Sequence, residues 1–353
     1  MTNYPLLKSI LKMKKSLMTL GVLALFVLMA YGQEKKFALY SVAFYNMENL
    51  FDTIHDEGKN DYEYLPNGTN QWNTMKYKAK LKNMSEILSM LSTDKLPMGP
   101  AIIGVSEIEN YRVLEDILKQ PALADRGYQY VHYEGADQRG VDCAFFYNPK
   151  LFELTNSKLV PYVYINDTVH KTRGFLIASG NIAGEKMHFI VNHWPSRAAA
   201  SPARERAGEQ VRAIKDSLLR EDSAAKIVIM GDMNDDPMDK SMAVALGAKR
   251  KPADVGPTDL YNPWWDTLKK GYGTLMYKGK WNLFDQIVFT GNLLGTDRST
   301  LKFYKHEIFR RDFMFQKEGK YKGYPKRTQA GGVWLNGYSD HLPTIIYLIK
   351  EVK

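Results

Sequence analysis

The chain has 353 residues, 44% of them hydrophobic, and a formal net charge of +9. That length is sufficient to bury a large core, as one domain or two, and the charge favours nucleic acid or another phosphate-bearing partner. The single cysteine, Cys143, excludes an intramolecular disulfide framework, so the fold must depend on its core.

The N-terminal segment has the pattern of a secretory signal: a basic start, an apolar run from Leu17 to Ala30, and small residues ahead of Gln33. A membrane anchor is the alternative, but a spanning helix needs ~20 apolar residues and this run is shorter. We therefore expect residues 1–32 to be removed, with an upstream extension before Met13, and no stable membrane anchor to remain. Cleavage removes four lysines and no acids, which leaves a charge of +5. The predicted product is an exported, periplasmic or extracellular monomer.

The mature chain, residues 33–353, alternates extended and helical patterns, and we predict that it forms a single α/β domain of packed sheets covered by helices. One helix is predicted from Arg204 to Leu219, and another by the helical spacing of Tyr77, Leu81, Met84, Leu88 and Leu91. Stretches rich in β-branched and aromatic residues predict the strands KFALYSVAFYN, AIIGVSE, YQYVHY, VDCAFFYN, GFLIASGNI, MHFIVNHW, KIVIMGD, LFDQIVFT and HLPTIIYLI.

Polar side chains recur where these strands end. In IVIMGDMNDDP, a period of two along extended backbone places Asp232 and Asn234 on the same face. Each such residue also has an ordinary interpretation as a turn former, a solvated acid or a structural histidine. Their recurrence nevertheless favours one shared site. The strand-end residues are Asn46, Glu48, Glu107, Asn192, His193, Asp232, Asn234, Asp340 and His341.

The chemistry of this set is that of phosphate-ester hydrolysis. Carboxylate and amide oxygens are hard ligands that favour Mg²⁺, Mn²⁺ or Ca²⁺. The sequence has no Cys/His spacing typical of zinc, which counts against a zinc hydrolase. His193 and His341, each oriented by a carboxylate, would supply a general base and an acid or charge stabiliser.

Six motifs in chain order resemble the endonuclease/exonuclease/phosphatase superfamily, to which type I deoxyribonucleases and neutral sphingomyelinases belong. The resemblance extends from about Phe37 to the C-terminus, and SEIEN and NHWPSR are more similar to its secreted bacterial branch. It implies a four-layer α/β sandwich, with two mixed sheets face to face and helices outside. The motifs are Asn46-Met-Glu48, Glu107, Asn192-His193, Gly-Asp232-Met-Asn234, Asp285 and Ser339-Asp340-His341.

The resemblance implies a metal site and a proton-transfer site. Glu107 would be the principal ligand of Mg²⁺, Mn²⁺ or Ca²⁺, and the further ligands would be Asn46, Glu48 and Asp340. Asp232 and Asn234 would orient the attacking water and contact the scissile phosphate. The resemblance also pairs two histidines with carboxylates: His341 with Asp285, to accept a proton or bind phosphate, and His193 with Asp142, to stabilise charge or protonate the leaving oxygen.

Two segments bear on the substrate. Arg197, close behind His193, and Asn192 are predicted to contact the substrate phosphate, although a solvated basic loop is the alternative for Arg197. The aromatic segment YNPWWDTLKKGYGTLMYKGKWN is predicted to be mostly core, with Tyr272 or Trp281 exposed.

Three functions remain open at this point. The favoured one is a phosphodiesterase that acts on nucleic acid, DNA or RNA, by in-line attack of a water activated by the metal. The second is the same chemistry on a small phosphoester or a phospholipid headgroup. The third is a binding protein that has kept the fold and lost the chemistry, which the complete set of matching residues disfavours.

Overall fold

The structure is a computed structural model that describes residues 12–13, 35–165 and 169–352. Most of the predicted signal segment, residues 1–32, lies outside the described residues, so its cleavage and the single domain at 33–353 stay predictions. None of the helices in the described ranges is long and apolar enough to cross a membrane. Leu39–Lys350 form the main unit, and the chain ends form a second unit, in which Lys35 Nζ donates to Glu351 Oε2 at 2.8 Å.

The main unit is built from strands and a few helices. The α-helices are α1 (Thr74–Met90), α2 (Tyr111–Leu118), α3 (Ser201–Glu221) and α4 (Trp265–Lys269). The strands are β1 (Lys36–Leu50), β2 (Ile102–Ile108), β3 (Gln129–His132), β4 (Asp142–Tyr147), β5 (Phe152–Val160), β6 (Phe175–Ile182), β7 (Glu185–His193), β8 (Lys226–Asp232), β9 (Ala248–Lys249), β10 (Leu260–Tyr261), β11 (Leu275–Tyr277), β12 (Lys280–Asn282), β13 (Asp285–Thr290), β14 (Lys302–Ile308), β15 (Gln329–Ala330), β16 (Val333–Trp334) and β17 (Thr344–Val352).

Two large mixed sheets carry most of these strands. The first has the order β14-β17-β1-β2-β4-β3 and the second the order β5-β6-β7-β8-β13-β10-β9. In each sheet the central pair is parallel, β1 with β2 and β7 with β8, while several neighbours run antiparallel. Two small hairpins, β11-β12 and β15-β16, complete the set.

Three apolar layers hold the main unit together. The middle layer lies between the sheets, where Phe44 and Phe145 of the first sheet pack with Phe189 and Ile287 of the second. On the outer face of the first sheet, the apolar side chains of α1 and α2 form a second layer. On the outer face of the second sheet, α3 contributes the third layer through residues such as Val211. The order is helix, sheet, sheet, helix, which confirms the predicted four-layer α/β sandwich.

Side chains of the second sheet pack directly against Gly104, in the middle of β2. A Cβ atom on Gly104 would lie only 2.5 Å from Met230 Sδ of β8 and 3.2 Å from Val191 Cγ1 of β7. An alanine there would have to displace the flexible Met230 side chain and would press on Val191. Glycine at this position lets side chains of the second sheet pack directly against β2.

The sheet topology also decides where the polar strand ends meet. Parallel β1 and β2 end at one edge, and parallel β7 and β8 end at one edge. Antiparallel β13 begins where β8 ends. In register, His193 pairs with Asp232, and Asp232 pairs with Asp285, so three predicted site residues lie side by side.

Candidate active site

Two β-bulges turn the predicted metal ligands toward the sheet edge. The pairing of β1 with β2 shifts between Asn46 and Leu50, and the pairing of β2 with β4 shifts at Glu107. Glu48 and Glu107 both have positive φ, 45° and 60°, in the left-handed region that residues with a Cβ seldom adopt. Bulges re-aim side chains next to functional sites, and strained backbone collects there.

Asn46 joins the two sheets through its amide. Asn46 Nδ2 donates to Glu107 Oε1 at 3.2 Å and to Asp232 Oδ2 at 3.0 Å. Glu107 Oε2 accepts from the backbone N–H of Asn49 at 2.8 Å, and Asn234 N donates to Asp232 Oδ1 at 2.9 Å. The structure thus brings Asn46, Glu107 and Asp232 together, as predicted from their positions at strand ends.

His193 lies between the same two carboxylates. His193 Nε2 is 3.7 Å from Glu107 Oε1 and 3.7 Å from Asp232 Oδ2, and its buried Nδ1 has no hydrogen-bond partner among the described residues. Burial and the positive charge of Arg173 lower the pKa of His193 well below its ordinary value. A neutral imidazole suits a metal ligand or a hydrogen-bond donor. It does not suit the predicted donation of a proton to the leaving oxygen.

His341 is held by Asp285, as predicted. His341 Nδ1 lies 2.7 Å from Asp285 Oδ2, and Nε2 lies 3.8 Å from Asp232 Oδ2. Burial alone would lower the pKa of His341, but the carboxylates of Asp285 and Asp232 raise it well above its ordinary value. Burial, together with Asp285, raises the pKa of Asp232 to about 7. The site therefore pairs an imidazolium with a carboxyl group that titrates near neutral pH.

Glu48 and Asp340, predicted to bind metal, instead join a cationic network. Arg327 donates from Nε to Glu48 Oε1 and from Nη2 to Asp340 Oδ2, both at 2.8 Å. Thr328 N donates to Glu48 Oε2 at 2.6 Å, and the fully buried Lys80 Nζ lies 3.9 Å from the same oxygen. Both oxygens of Glu48 are thereby occupied. Sequence reasoning missed Arg327 and Lys80, because neither belongs to a strand-end motif.

The remaining acids and histidines have a donor set that fits a divalent cation. Ligand atoms of Glu107, His193 and Asp232 lie within 4.8 Å of one another, and so do those of Asp232, Asp285 and His341. Asp232 belongs to both groups. The charge of Glu107 and Asp232, with the neutral imidazole of His193 beside them, is what a hard or borderline divalent ion requires. Either of these two groups could hold a divalent ion.

The loop after β8 differs from the predicted extended geometry. Asn234 has a φ of 51°, so the chain turns directly after Asp232 instead of continuing with a period of two. Asn234 Nδ2 donates to Trp194 O at 3.0 Å. The turn-forming interpretation of GDMN is therefore confirmed, and the turn keeps Asn234 next to Asp232. The catalytic interpretation stays a prediction.

The two side chains that were predicted to contact the substrate phosphate, Asn192 and Arg197, bind other groups of the protein. Asn192 is fully buried and its amide donates to Ile190 O and Met230 O, at 2.9 and 3.1 Å. The guanidinium of Arg197 binds the acidic loop after Asn234, with Nη2 2.8 Å from Asp239 Oδ2. The structure therefore places neither side chain at the catalytic cluster. Arg197 stabilises the loop instead.

Asp142 does not orient His193. Asp142 Oδ2 accepts from Gly135 N at 3.0 Å and lies 3.4 Å from His132 Nε2. The proposed Asp142–His193 pair was wrong because Asp142 opens β4, on the side of that strand where the loop from β3 folds back. The aromatic segment also departs in part from its prediction: Trp264 is core and Tyr272 is exposed, but Tyr277, expected in the core, is 61% exposed.

The family match agrees with this geometry. The sequence model of the endonuclease/exonuclease/phosphatase family matches residues 41–350, which includes every residue of the cluster. The chain belongs to this family. It is accordingly a phosphoester hydrolase of a family that uses divalent metal ions. No curated protein sequence matches the chain.

Solved structures share the fold of this family member at low identity. A family protein from Bacteroides thetaiotaomicron has a TM-score of 0.56 at 15% identity, covering 90% of this chain and 98% of that one. A mannosyl-6-phosphatase from the same organism has a TM-score of 0.54 at 14% identity, covering 88% and 99%. D. rerio TDP2 complexed with a single-strand DNA product has a TM-score of 0.51 at 14% identity, covering 88% and 99%. At these identities the likeness concerns the fold alone.

Proposed function

We propose that this protein is an exported phosphodiesterase that depends on a divalent ion, Mg²⁺ in the first instance, and hydrolyses single-stranded nucleic acid. Export rests on the signal pattern of residues 1–32, and N-terminal sequencing of the mature protein is expected to begin at Gln33. The substrate rests on one observation, a long aromatic groove that adjoins the catalytic cluster and borders a basic cavity.

The residues of the cluster divide the chemistry between them. Glu107, His193 and Asp232 would hold the ion, which when bound supplies Lewis-acid stabilisation of phosphate charge. Asp232, whose Oδ1 accepts from Asn234 N, would orient the attacking water together with Asn234. The imidazolium of His341, held by Asp285, binds the negative phosphate oxygen. The amide of Asn46 keeps the two carboxylates in place.

The groove leads away from the cluster on the side of Asp340. Asp340 Oδ1 lies 3.9 Å from His341 Nε2, and Asp340 also lines the groove, whose volume is about 1230 Å³. Tyr277 and Tyr321 in its wall are 61% and 52% exposed, so their rings are available to stack on bases. The aromatic side chains of the groove wall are Tyr64, Trp72, Tyr277, Tyr321 and Tyr324.

A basic cavity continues the groove. Gln316 lines both the groove and a neighbouring cavity of about 390 Å³. The cationic side chains of that cavity are Arg310, Arg311, Lys317 and Lys322, against one acid, Asp312. A chain with regularly spaced phosphates could therefore place one phosphate at the cluster, stack its bases in the groove and bring further phosphates to this cavity.

The test compares substrates and salt dependence with purified protein and Mg²⁺. We expect hydrolysis of a single-stranded oligonucleotide, and binding that weakens linearly in log salt. Replacing Lys317 and Lys322 by Ala should reduce the salt slope by about 0.7 for each phosphate that a lysine no longer neutralises. The matched control replaces Lys150 and Lys186, two exposed lysines outside the groove and the cavity. If the two double variants have equal salt slopes, Lys317 and Lys322 do not bind substrate phosphates, and the proposal that the basic cavity binds the nucleic-acid backbone is contradicted.

A small phosphoester is the second candidate, and a different feature of the groove favours it. Glu63 and Glu318 also line the groove, where their carboxylates can accept hydrogen bonds from the hydroxyl groups of a sugar or inositol phosphate. A phospholipid headgroup belongs to the same class. If sugar phosphates, inositol phosphates or sphingomyelin are hydrolysed and the oligonucleotide is not, this candidate replaces the first.

A further inference from the structure

A second group of possible metal ligands lies outside the catalytic cluster, at the edge of the first sheet. His132 ends β3, Asp142 begins β4, and Glu134 lies in the loop between them. One ligand atom from each of the three lies within 4.8 Å of the others. The side chains of His132 and Asp142 are only 5% and 4% exposed, whereas Glu134 is exposed at the rim. The group therefore combines two buried ligands with one that solvent reaches.

The distance between the two buried ligands is that of a metal site. His132 Nε2 is buried and has no hydrogen-bond partner among the described residues, although Asp142 Oδ2 is 3.4 Å away. Two ligand atoms at the Zn–N and Zn–O distances of about 2.0–2.2 Å in a tetrahedron lie roughly 3.4 Å apart. An unpaired buried nitrogen costs stability, and a cation between the two atoms would satisfy it.

The loop around this group is shaped for it. Gly135 N donates to Asp142 Oδ2 at 3.0 Å, which leaves a lone pair of that carboxylate directed elsewhere. A Cβ atom on Gly135 would lie 2.1 Å from Asp142 Oδ1, so only glycine allows the loop to approach this closely. The nearby cation, Lys59, donates through Nζ to Gly135 O and Asp137 O at 2.9 and 3.2 Å. Lys59 therefore binds the backbone of the loop, and its ammonium group does not pair with the carboxylates of Glu134 and Asp142.

We propose that His132, Glu134 and Asp142 form a second metal site, separate from the catalytic one, for Zn²⁺ or a divalent ion of similar softness. One imidazole nitrogen and two carboxylate oxygens make a neutral complex with such an ion. Glu134 also borders a cavity of about 490 Å³, so solvent reaches this ligand. The site could not be recognised from the sequence, because its ligands do not have the spacing of a Cys/His zinc motif. One residue separates His132 from Glu134, and seven residues separate Glu134 from Asp142.

The test counts bound zinc in protein first stripped by a chelator. In equilibrium dialysis against Zn²⁺ alone, the wild type is expected to bind one more zinc ion per protein molecule than Glu134→Gln does. If the variant still binds a second ion, its affinity for that ion should be at least tenfold lower. Glu134 is exposed, so this variant should fold. Glu57→Gln, another exposed acid, is the matched control and should bind as the wild type does.

Two further measurements separate this site from the catalytic one. Glu107→Gln removes a ligand of the catalytic ion and should keep the second equivalent, while Glu134→Gln should keep oligonucleotide hydrolysis in Mg²⁺. In a Glu107→Gln background, where the catalytic ion is weakened, His132→Gln in Co²⁺-loaded protein should lose the visible absorption band of a nitrogen-ligated tetrahedral ion. Equal zinc stoichiometry and affinity in the wild type, Glu134→Gln and His132→Gln would overturn the proposal and leave the catalytic assignment untouched.

Discussion

Asn46 is the side chain through which the two sheets share one catalytic cluster. Its amide donates to Glu107 of the first sheet and to Asp232 of the second. A carboxylate at this position would place a third negative charge beside two others, whereas the amide satisfies both acids without competing for the cation. The electrostatics of the cluster therefore depend on an uncharged residue, and the charged residues around it can be tested singly.

Glu107→Gln tests the metal assignment. Glutamine keeps the shape of the side chain and an oxygen that can accept the N–H of Asn49, but it removes the charge. We expect the fold to survive and kcat/KM in Mg²⁺ to fall by an amount that corresponds to several kcal/mol. Glu86→Gln, on the surface of α1, is the control. Tight metal binding by the variant, or its unfolding in circular dichroism, would make Glu107 a structural residue.

His341 and Asp285 can be separated by their pH profiles. His341→Ala is expected to lower kcat by ~10²-fold or more, the range for loss of one group that stabilises charge in the transition state. Asp285 acts through His341, so it is a positioning residue. Since Asp285 raises the pKa of His341, Asp285→Asn should move the limb of the kcat/KM profile that reports His341 to lower pH. A lower rate with an unmoved limb would mean that Asp285 only supports the strand.

At the scale of single elements, the clarity of the local pattern decides what the sequence can predict. The central strands β1, β2, β7, β8 and β13 are continuous apolar runs, and all of them are confirmed. The strands β5 and β14 escaped prediction because FELTNSKLV and KFYKHEI mix polar and apolar residues without a clear pattern, whereas the edge strand β3 was predicted from its aromatic residues. Helix α2 escaped because its eight residues are too few for a clear period.

The same distinction explains the candidate site. His193, Asp232 and Asp285 project from adjacent central strands of the second sheet, so sheet register alone brings them together. Glu107 comes from the first sheet and meets Asp232 through the amide of Asn46. Arg197 lies on a loop, where its partners are set by tertiary contacts with the acids after β8 that no local pattern reveals. Residues on central strands are thus predictable from sequence, and loop cations are not.

Edge strand β14 carries a pH-sensitive histidine. His306 packs against Trp264, with ring centroids 4.8 Å apart, and its Nε2 lies 2.9 Å from Thr267 Oγ1. Burial lowers the pKa of His306 to about 4, so the fold prefers the neutral ring. The stability that His306 contributes is present above the unfolded pKa of about 6.5 and is lost as the pH falls toward 4.

His306→Gln should remove this acid sensitivity. Between pH 6.5 and 4 we expect the free energy of unfolding of the wild type to fall by on the order of 2 kcal/mol more than that of the variant. Urea denaturation at the two pH values measures the difference. His55→Gln, a half-exposed histidine outside β14, is the control. Parallel pH dependences of wild type and His306→Gln would contradict the assignment.

At the scale of the whole molecule, the catalytic cluster is also part of the interface between the two sheets. Buried acids from both sheets face each other there, and their mutual repulsion opposes docking unless a cation neutralises them. The ion that supports hydrolysis should therefore stabilise the fold as well. A ligand present at one hundred times its Kd adds about 2.7 kcal/mol to the stability of the state that binds it.

Thermal unfolding with and without Mg²⁺ tests this coupling. The wild type should gain several degrees in Tm in saturating Mg²⁺, and Glu107→Gln should gain little. The same measurement with Ca²⁺ and with Mn²⁺ shows which ion raises the Tm most, and therefore which ion the site prefers. An unchanged Tm in every ion at saturating concentration would show that the acids are accommodated without a cation, and would contradict the metal assignment of Glu107 and Asp232.

Gly104 lies where the two sheets meet. Met230 and Val191 of the second sheet pack directly against it, so the sheets are closely packed at this position. In that position the acids of β1 and β2 reach the histidine and acids of β7, β8 and β13. A newly synthesised chain whose sheets have not yet closed therefore carries the parts of a hydrolase without its activity. Closure of the sheets and assembly of the catalytic cluster are therefore one event, because Asn46 and Glu107 of the first sheet meet Asp232 of the second only when the sheets are packed.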